Sequence, residues 1–381
     1  MTGPVSSAPA VPPVKHAYVG AYTRGPMGGR ATTAGAGISL CRVAPDTGAL
    51  TVIATFPSDN PSFLALHPTL PVLYAVNETA DHEERRRGSI VAYSIDRDSG
   101  HLSELNRQDS GGANPAHLAV APSGQHLVVA NYSSVTFSLF PLAVDGEVRP
   151  ASDILHQSGS GPNRERQQEP HPHGIAFDPA GEFVALADLG TDRVLVQRID
   201  PVTDRLLAVS EAATAPGAGP RHLAFHPNGR VLYAINELDS TITAFAYAAA
   251  SGQIGPILQV VPTVPADAAA ESTTAELVIH PSGRFLYGSN RAASGATAPF
   301  ADSIACFGID PDDGTLTPLG NVSEGIAVPR HIALDPSGAW CYACNQGGDT
   351  IVQFRVDPAS GGLTKTGGVL PTESPVCLIF V

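Results

Sequence analysis

Apolar residues along this chain come in short runs broken by polar turns, and the runs pair up. In "RHLAFHPNGRVLYAIN", Arg221–Asn236, one apolar run leads into the turn "HPNGR" and out again into a second run rich in aromatic and β-branched residues. Strand, turn, strand is the element this pattern predicts. A polar stretch follows, then a third strand such as "STITAFAY" or "DSIACFGID", while "GTLTPLGNV" reads as a fourth, on an outer edge. Glycine (38) and proline (34) are scattered through the chain, as many short elements joined by many turns require.

The unit recurs. "NPSFLALHPTLPVLYAVNE" starts at Asn60, "NPAHLAVAPSGQHLVVANY" at Asn114, "HPHGIAFDPAGEFVALADL" at His171 and "GPRHLAFHPNGRVLYAINE" at Gly219. "TTAELVIHPSGRFLYGSNR" follows from Thr273 and "VPRHIALDPSGAWCYACNQ" from Val328. Aligned on Pro61, Pro115, Pro172, Pro220, Thr274 and Pro329, the steps are 54, 57, 48, 54 and 55 residues. About fifty residues and four strands per repeat is the pattern of a β-propeller blade. The chain ends supply one more. "SPVCLIFV" at the C-terminus matches only the start of a unit; "HAYVGAY" matches a second strand, and "GISLCRVAPDTGALTVIATF" a third and fourth. The sequence therefore predicts an all-β, seven-bladed β-propeller of four-stranded blades, the last closed by the C-terminal strand plus three N-terminal strands, which removes the exposed edges. Residues 1–14 lack the basic start and apolar stretch of a signal peptide and read as a disordered tail, with 15–381 as one domain and a cytoplasmic location.

Counting from the hairpin tip locates the open end. Gly229 is eight residues from both Arg221 and Glu237, so these two face each other where the strands part. All blades share one orientation, so their open ends meet around one mouth of the central channel. The same two positions elsewhere are Ser62 and Glu78, Ala116 and Tyr132, His173 and Leu189, Ala275 and Arg291, and Arg330 and Gln346. One residue further in come Phe63, His117, Gly174, His222, Glu276, His331 and Cys377. A purely structural repeat has no need of so many arginines, histidines and acids in one concave place. By contrast, Asn77, Asn131, Asn236, Asn290 and Asn345 recur just before the variable position and read as backbone-bonding scaffold. His67, His226 and His280, in "HP" turns at the other end of the hairpin, read as turn residues.

A formal net charge of −14, with 22 Lys and Arg that form no stripe, argues against nucleic acid. No apolar run reaches membrane-spanning length. "ERRR", residues 84 to 87, reads as a solvated loop. Five cysteines read as buried thiols, with Cys341 and Cys344 of "CYAC" pointing to opposite faces of a strand.

From about residue 15 onward the chain resembles the seven-bladed propeller lactonases, which include bacterial 6-phosphogluconolactonases and fungal carboxy-muconate cyclising enzymes. The motifs that carry this are "HQSGSGPNRERQQEPHPHG" (156–174), "GPRH", "INE", "AEL", "GSNR" and "PRH". The resemblance implies a lactone-opening reaction without metal or cofactor, and an active constellation of one histidine, two arginines and one glutamate. Motif by motif these fall on His173, Arg221, Glu237 and Arg291. His117, His171, His222, Glu276, Arg330 and His331 form a second tier, expected to bind substrate. "ASGATAPFA" after Arg291 is longer than the family's usual link and is placed to reshape the mouth.

The chemistry agrees with that implication. Opening a lactone needs water, a base to take its proton, and groups that hold the developing oxyanion. Glu237 or His173 can supply the base, and Arg221 and Arg291 can hold a carboxylate or phosphate bidentately. The expected partner is a small-molecule lactone, most simply an anionic sugar lactone. Three alternatives stay open: reversible cyclisation of the muconate kind, a non-enzymatic binding platform, and a metal site on His171 and His173 with a carboxylate from the rim.

Overall fold

The computed structural model describes residues 14–24, 34–82 and 87–381. The expected tail, save residue 14, and the "ERRR" loop, save Arg87, lie outside the described residues. Twenty-eight strands form seven four-stranded antiparallel sheets arranged as a propeller, and no α-helix occurs among the described residues. Blade 4 illustrates the unit: Pro220–Phe225 innermost, then Val231–Asn236, Thr241–Ala248 and Gln253–Pro262 outermost. Blades 1 to 6 follow in chain order from Phe63 to Pro371. Blade 7 is composite. Pro375–Phe380 pairs with His16–Ala21 from Ala17 opposite Phe380 to Ala21 opposite Pro375, and Ile38–Val43 and Leu50–Phe56 complete it.

Burial explains why the second strand of each unit is the most apolar. Val231–Asn236 and Val72–Asn77 are buried at every position, whereas the outer strands Leu316–Val322 and Leu50–Phe56 are largely open to solvent. The core is divided among seven clusters, each filling the space between two neighbouring blades. Tyr233, Ile235 and Ile242 of blade 4 pack on Leu277, Leu286 and Phe307 of blade 5. Ala17, Val19 and Cys41 of blade 7 pack on Tyr342, Cys344 and Ile351 of blade 6, so the composite blade is joined to the ring as firmly as the others. Cys341 and Cys344 do enter different interfaces, and all five cysteines are free and buried.

Polar staples reinforce these interfaces. The second-strand tyrosines Tyr18, Tyr74, Tyr233, Tyr287 and Tyr342 each donate a hydroxyl hydrogen bond to a glycine carbonyl in the outer turn of the next blade, at 2.6 to 2.8 Å. The "HP" histidines are more than turn residues. Nδ1 of His67, His226 and His280 accepts backbone amides of its own turn, and Nε2 meets the carbonyl of Gly124, Gly283 or Gly338 in the following blade at 2.9 to 3.0 Å. The recurring asparagines bond at the opposite end of the hairpin as expected, for example Asn131 to the Ser110 carbonyl and Asn290 to that of Thr263, though Asn236 bonds the hydroxyls of Thr241 and Thr243.

Candidate active site

The mouth is shaped by an irregularity that counting does not reveal. In blade 4 Pro220 pairs with Asn236 and His222 with Ile235, so Arg221 is an extra residue bulged out of the ladder. The same bulge falls at Ala116, Arg330, His173–Gly174 and Ala275–Glu276. Bulges re-aim side chains, and here they turn the first residues of the inner strands toward the channel mouth. Gly174 sits where two inner strands approach so closely that a Cβ would lie 2.4 Å from the Arg221 carbonyl oxygen. The residue before five of the six inner-strand prolines adopts positive φ, His171 being the exception: Asn60, Asn114, Gly219, Val328 and Ser374. Asparagine and glycine tolerate that conformation, whereas for β-branched Val328, at φ 51°, it is strained.

Beneath the mouth lies a cavity of about 440 Å³. Its wall includes His173, Glu237, Arg291 and Arg330 from the sequence-derived set, together with Tyr22, Glu78, Tyr132 and Arg166. Glu237 is the electrostatic centre. Its Oε1 accepts a hydrogen bond from Arg166 Nη2 at 2.6 Å, and its Oε2 accepts one from Arg221 Nε at 2.9 Å with Arg291 Nη2 3.1 Å away. Burial by itself would raise the pKa of this carboxyl, but Arg291, Arg166 and Arg221 together hold it far below the usual carboxylate range. Glu237 is therefore ionised at any working pH and a weak proton acceptor.

Arg221 departs from expectation. Facing Glu237 as predicted, it does not line the cavity: its side chain is 3% exposed, and its Nη1 donates to the Ala275 carbonyl at 2.7 Å and lies 3.1 Å from His222 Nε2. Its guanidinium ties the wall together from behind. His173 is placed as predicted. The ring forms part of the cavity wall, its Nδ1 is buried with no hydrogen-bond partner among the described residues, and burial followed by the charge of Arg221 lowers its pKa well below that of free histidine. It is a neutral imidazole at neutral pH.

Four residues expected to bind substrate lie deeper and plug the channel. His117, His222, Glu276 and His331 are all buried and outside the cavity wall. Rings pack face and edge through this layer, with Phe63 to His117 at 3.9 Å, His117 to His222 at 4.9 Å and His173 to His222 at 5.1 Å between centroids. Glu276 bridges two of them, 2.9 Å from His222 Nδ1 and 3.4 Å from His331 Nε2. Because Arg221 approaches His222 Nε2, the proton of that ring belongs on Nδ1, facing Glu276. Burial lowers the pKa of all three histidines and raises that of Glu276. His171 is likewise not in the wall: it stacks on Tyr132 at 4.4 Å and 11°, and its Nδ1 lies 3.2 Å from the Tyr132 carbonyl. Among the described residues no group of three or more His, Cys, Asp or Glu is arranged to hold a metal ion.

Arg166 is a charged side chain of the cavity wall that the sequence reading missed. It belongs to "NRERQ", in the long loop before blade 3, and lies outside the repeat, so aligning units never reaches it. The loop is held by its neighbours. Asn163 Oδ1 accepts the amides of Glu165 and Arg166, and Gln167, fully buried, donates to the Leu189 carbonyl and to Asp192. An arginine between two such anchors was the available signal. Tyr22, which donates to Glu78 Oε2 at 2.9 Å and lies under the Arg330 guanidinium at 5.2 Å, was also missed. The long link after Arg291 does not reshape the cavity. The amides of Thr297 and Ala298 donate to Glu271, Ser272 donates to the Ala301 carbonyl, and no residue of the link lines the wall.

Known proteins share this architecture. The model of the family described as "Lactonase, 7-bladed beta-propeller" matches residues 16–380. A 6-phosphogluconolactonase of Bacillus subtilis (strain 168) is 33% identical over 370 residues, covering 96% of this chain and 97% of its own. One from Formosa agariphila is 34% identical over 323 residues, covering 82% and 85%. Among solved structures, one from Bacteroides fragilis matches with a TM-score of 0.85 at 32% identity, covering 98% of this chain and 100% of its own. A periplasmic gluconolactonase of Pseudomonas aeruginosa matches with a TM-score of 0.85 at 28% identity, covering 97% and 99%. The chain belongs to the seven-bladed β-propeller lactonase family.

Proposed function

We propose that this protein hydrolyses a sugar lactone, 6-phosphogluconolactone foremost, and does so in the cytoplasm with no metal or cofactor. The observation that carries the reading is a neutral, partly unpartnered histidine sharing one cavity with a carboxylate clamped by arginines. In the reaction His173 takes the proton of the attacking water, since its imidazole is already unprotonated, and gives it to the ring oxygen as the acyl C–O bond breaks. Arg166 and Arg291, at the wall, stabilise the negative charge that develops on the carbonyl oxygen. Glu237 keeps both guanidinium groups in place and balances their charge. This division of labour supersedes Glu237 as general base, because a carboxylate facing three arginines has little affinity for a proton.

The relatives named 6-phosphogluconolactonase and gluconolactonase support a sugar lactone as substrate. Proton release at constant pH, followed with 6-phosphogluconolactone, gluconolactone and a muconolactone, each against its spontaneous rate, tests the proposal. Acceleration of a sugar lactone is expected. Acceleration of the muconolactone alone supports the cyclising alternative, and no acceleration of any of the three contradicts the enzyme reading.

A further inference from the structure

The charged groups of the cavity wall divide into two sets. Arg166 and Arg291 are both tied to Glu237, on the side of blades 3 to 5. Arg330 stands apart on blade 6, three blades from His173, which in a ring of seven is the greatest separation available. Among the described residues its guanidinium makes neither an ion pair nor a hydrogen bond; its contact is with the face of Tyr22. Glu78, an acid of the same wall, is engaged by the Tyr22 hydroxyl. Arginine stacked on an aromatic face keeps its N–H fork directed outward, the geometry suited to a carboxylate or a phosphate.

The backbone is built to present this side chain. Arg330 is the bulged residue between Pro329 and His331, and the strained Val328 before the proline is held by its amide to Asp302 Oδ1 at 3.0 Å and by its carbonyl to the Gln346 amide at 3.0 Å. Strain retained beside a cavity marks a position that the fold over-determines. Three arginines against two glutamates also leave the wall net positive, in a protein whose net charge is −14. A neutral lactone would leave the Arg330 fork without a partner; a lactone bearing an acidic arm would fill it.

We infer that Arg330, seated on Tyr22, is the subsite for a phosphate group carried outside the lactone ring, and that it selects phosphorylated over unphosphorylated sugar lactones. The inference rests on the lactonase reading above and adds to it the residue that sets the substrate class. Two measurements test it. For Arg330→Gln, the ratio of kcat/KM for 6-phosphogluconolactone to that for gluconolactone should fall by about a hundredfold, as loss of a charged, bidentate partner implies. Arg330→Lys, which keeps the charge without the fork, should fall between. With the unmodified protein, inorganic phosphate should raise KM for the phosphorylated lactone and leave KM for gluconolactone alone, a result that depends on no variant folding. An unchanged selectivity ratio, phosphate inhibition of both substrates alike, or hydrolysis of gluconolactone only would each overturn Arg330 as the selector while leaving the lactonase reading intact. Failure to accelerate either sugar lactone would instead sink the reading on which it rests.

Discussion

Histidines occur at both ends of the ring's hairpins, and the two sets are treated in opposite ways. His67, His226 and His280, in the turns, have both ring nitrogens occupied, one by their own turn and one by the next blade. At the channel end, Nδ1 of His117 and of His173 is buried without a partner among the described residues, and Glu276 Oε2 meets His331 only at 3.4 Å. Scaffold satisfies its polar groups because an unmet one costs about 1–3 kcal/mol. Where a fold leaves them unmet and crowds them against arginine, stability has been given up for chemistry. The same residue type thus meets different treatment at the two ends, although His222 of blade 4, with Glu276 at Nδ1 and Arg221 near Nε2, is occupied on both nitrogens.

The harshest way to break this contrast strikes both ends together. Deleting residues 374–381 removes the innermost strand of blade 7, the partner of His16–Ala21, and with it the Leu378 amide that donates to His331. Two blade edges open and a core strand is lost, so the protein should no longer fold cooperatively, as seen by thermal unfolding. An unchanged Tm would contradict the closed ring.

Glu237→Gln separates the ends. It should lower kcat by about a hundredfold, and, because it strips the shared counter-charge from Arg221 and Arg291, it should also cost about 3–5 kcal/mol of stability. The shape of the remaining pH–rate profile sharpens the result. If Glu237 orients arginines, the acid limb persists in the variant; if it is the base, the limb disappears.

A smaller effect comes from pH. His117, His173, His222 and His331 all have folded pKa values below their unfolded ones. In such a case the unfolded chain takes up protons first as pH falls, so stability is full above the unfolded value near 6.5 and declines below it. Glu276, whose pKa is raised by burial, works in the opposite sense, but it is one group against four. Each histidine that stays neutral contributes up to roughly 1.4 kcal/mol per pH unit. Tm should therefore drop measurably between pH 7.5 and pH 5.5, and an invariant Tm would mean that the channel histidines are not held neutral.

Most of the fold was legible because a repeat states its grammar six times; even the split blade could be assembled from two half-units. The site was legible wherever it belongs to the repeat. Counting from Gly229 brought Arg221 opposite Glu237, and the equivalent positions gave His173, Arg291 and Arg330. What counting missed has physical causes. A bulge adds a residue to one strand without any mark in the sequence, so the burial of Arg221 behind the wall could not be foreseen. Arg166 reaches Glu237 from a loop with no counterpart in other blades. Four of the second-tier residues sit one layer too deep because channel radius, which decides whether His222 or Glu276 meets a ligand or another side chain, depends on the packing of seven inner strands at once.

Parallel measurement of kcat and Tm for His173→Gln and His226→Gln tests the division of function and scaffold between the two ends of the hairpins. His173→Gln should lose about a hundredfold or more in sugar-lactone turnover with Tm close to that of the unmodified protein. His226→Gln should keep its turnover and, deprived of two part-buried hydrogen bonds, lose roughly 1–3 kcal/mol, a Tm lower by several degrees. Normal turnover in His173→Gln, or a loss of turnover in His226→Gln as large as in His173→Gln, would contradict that division.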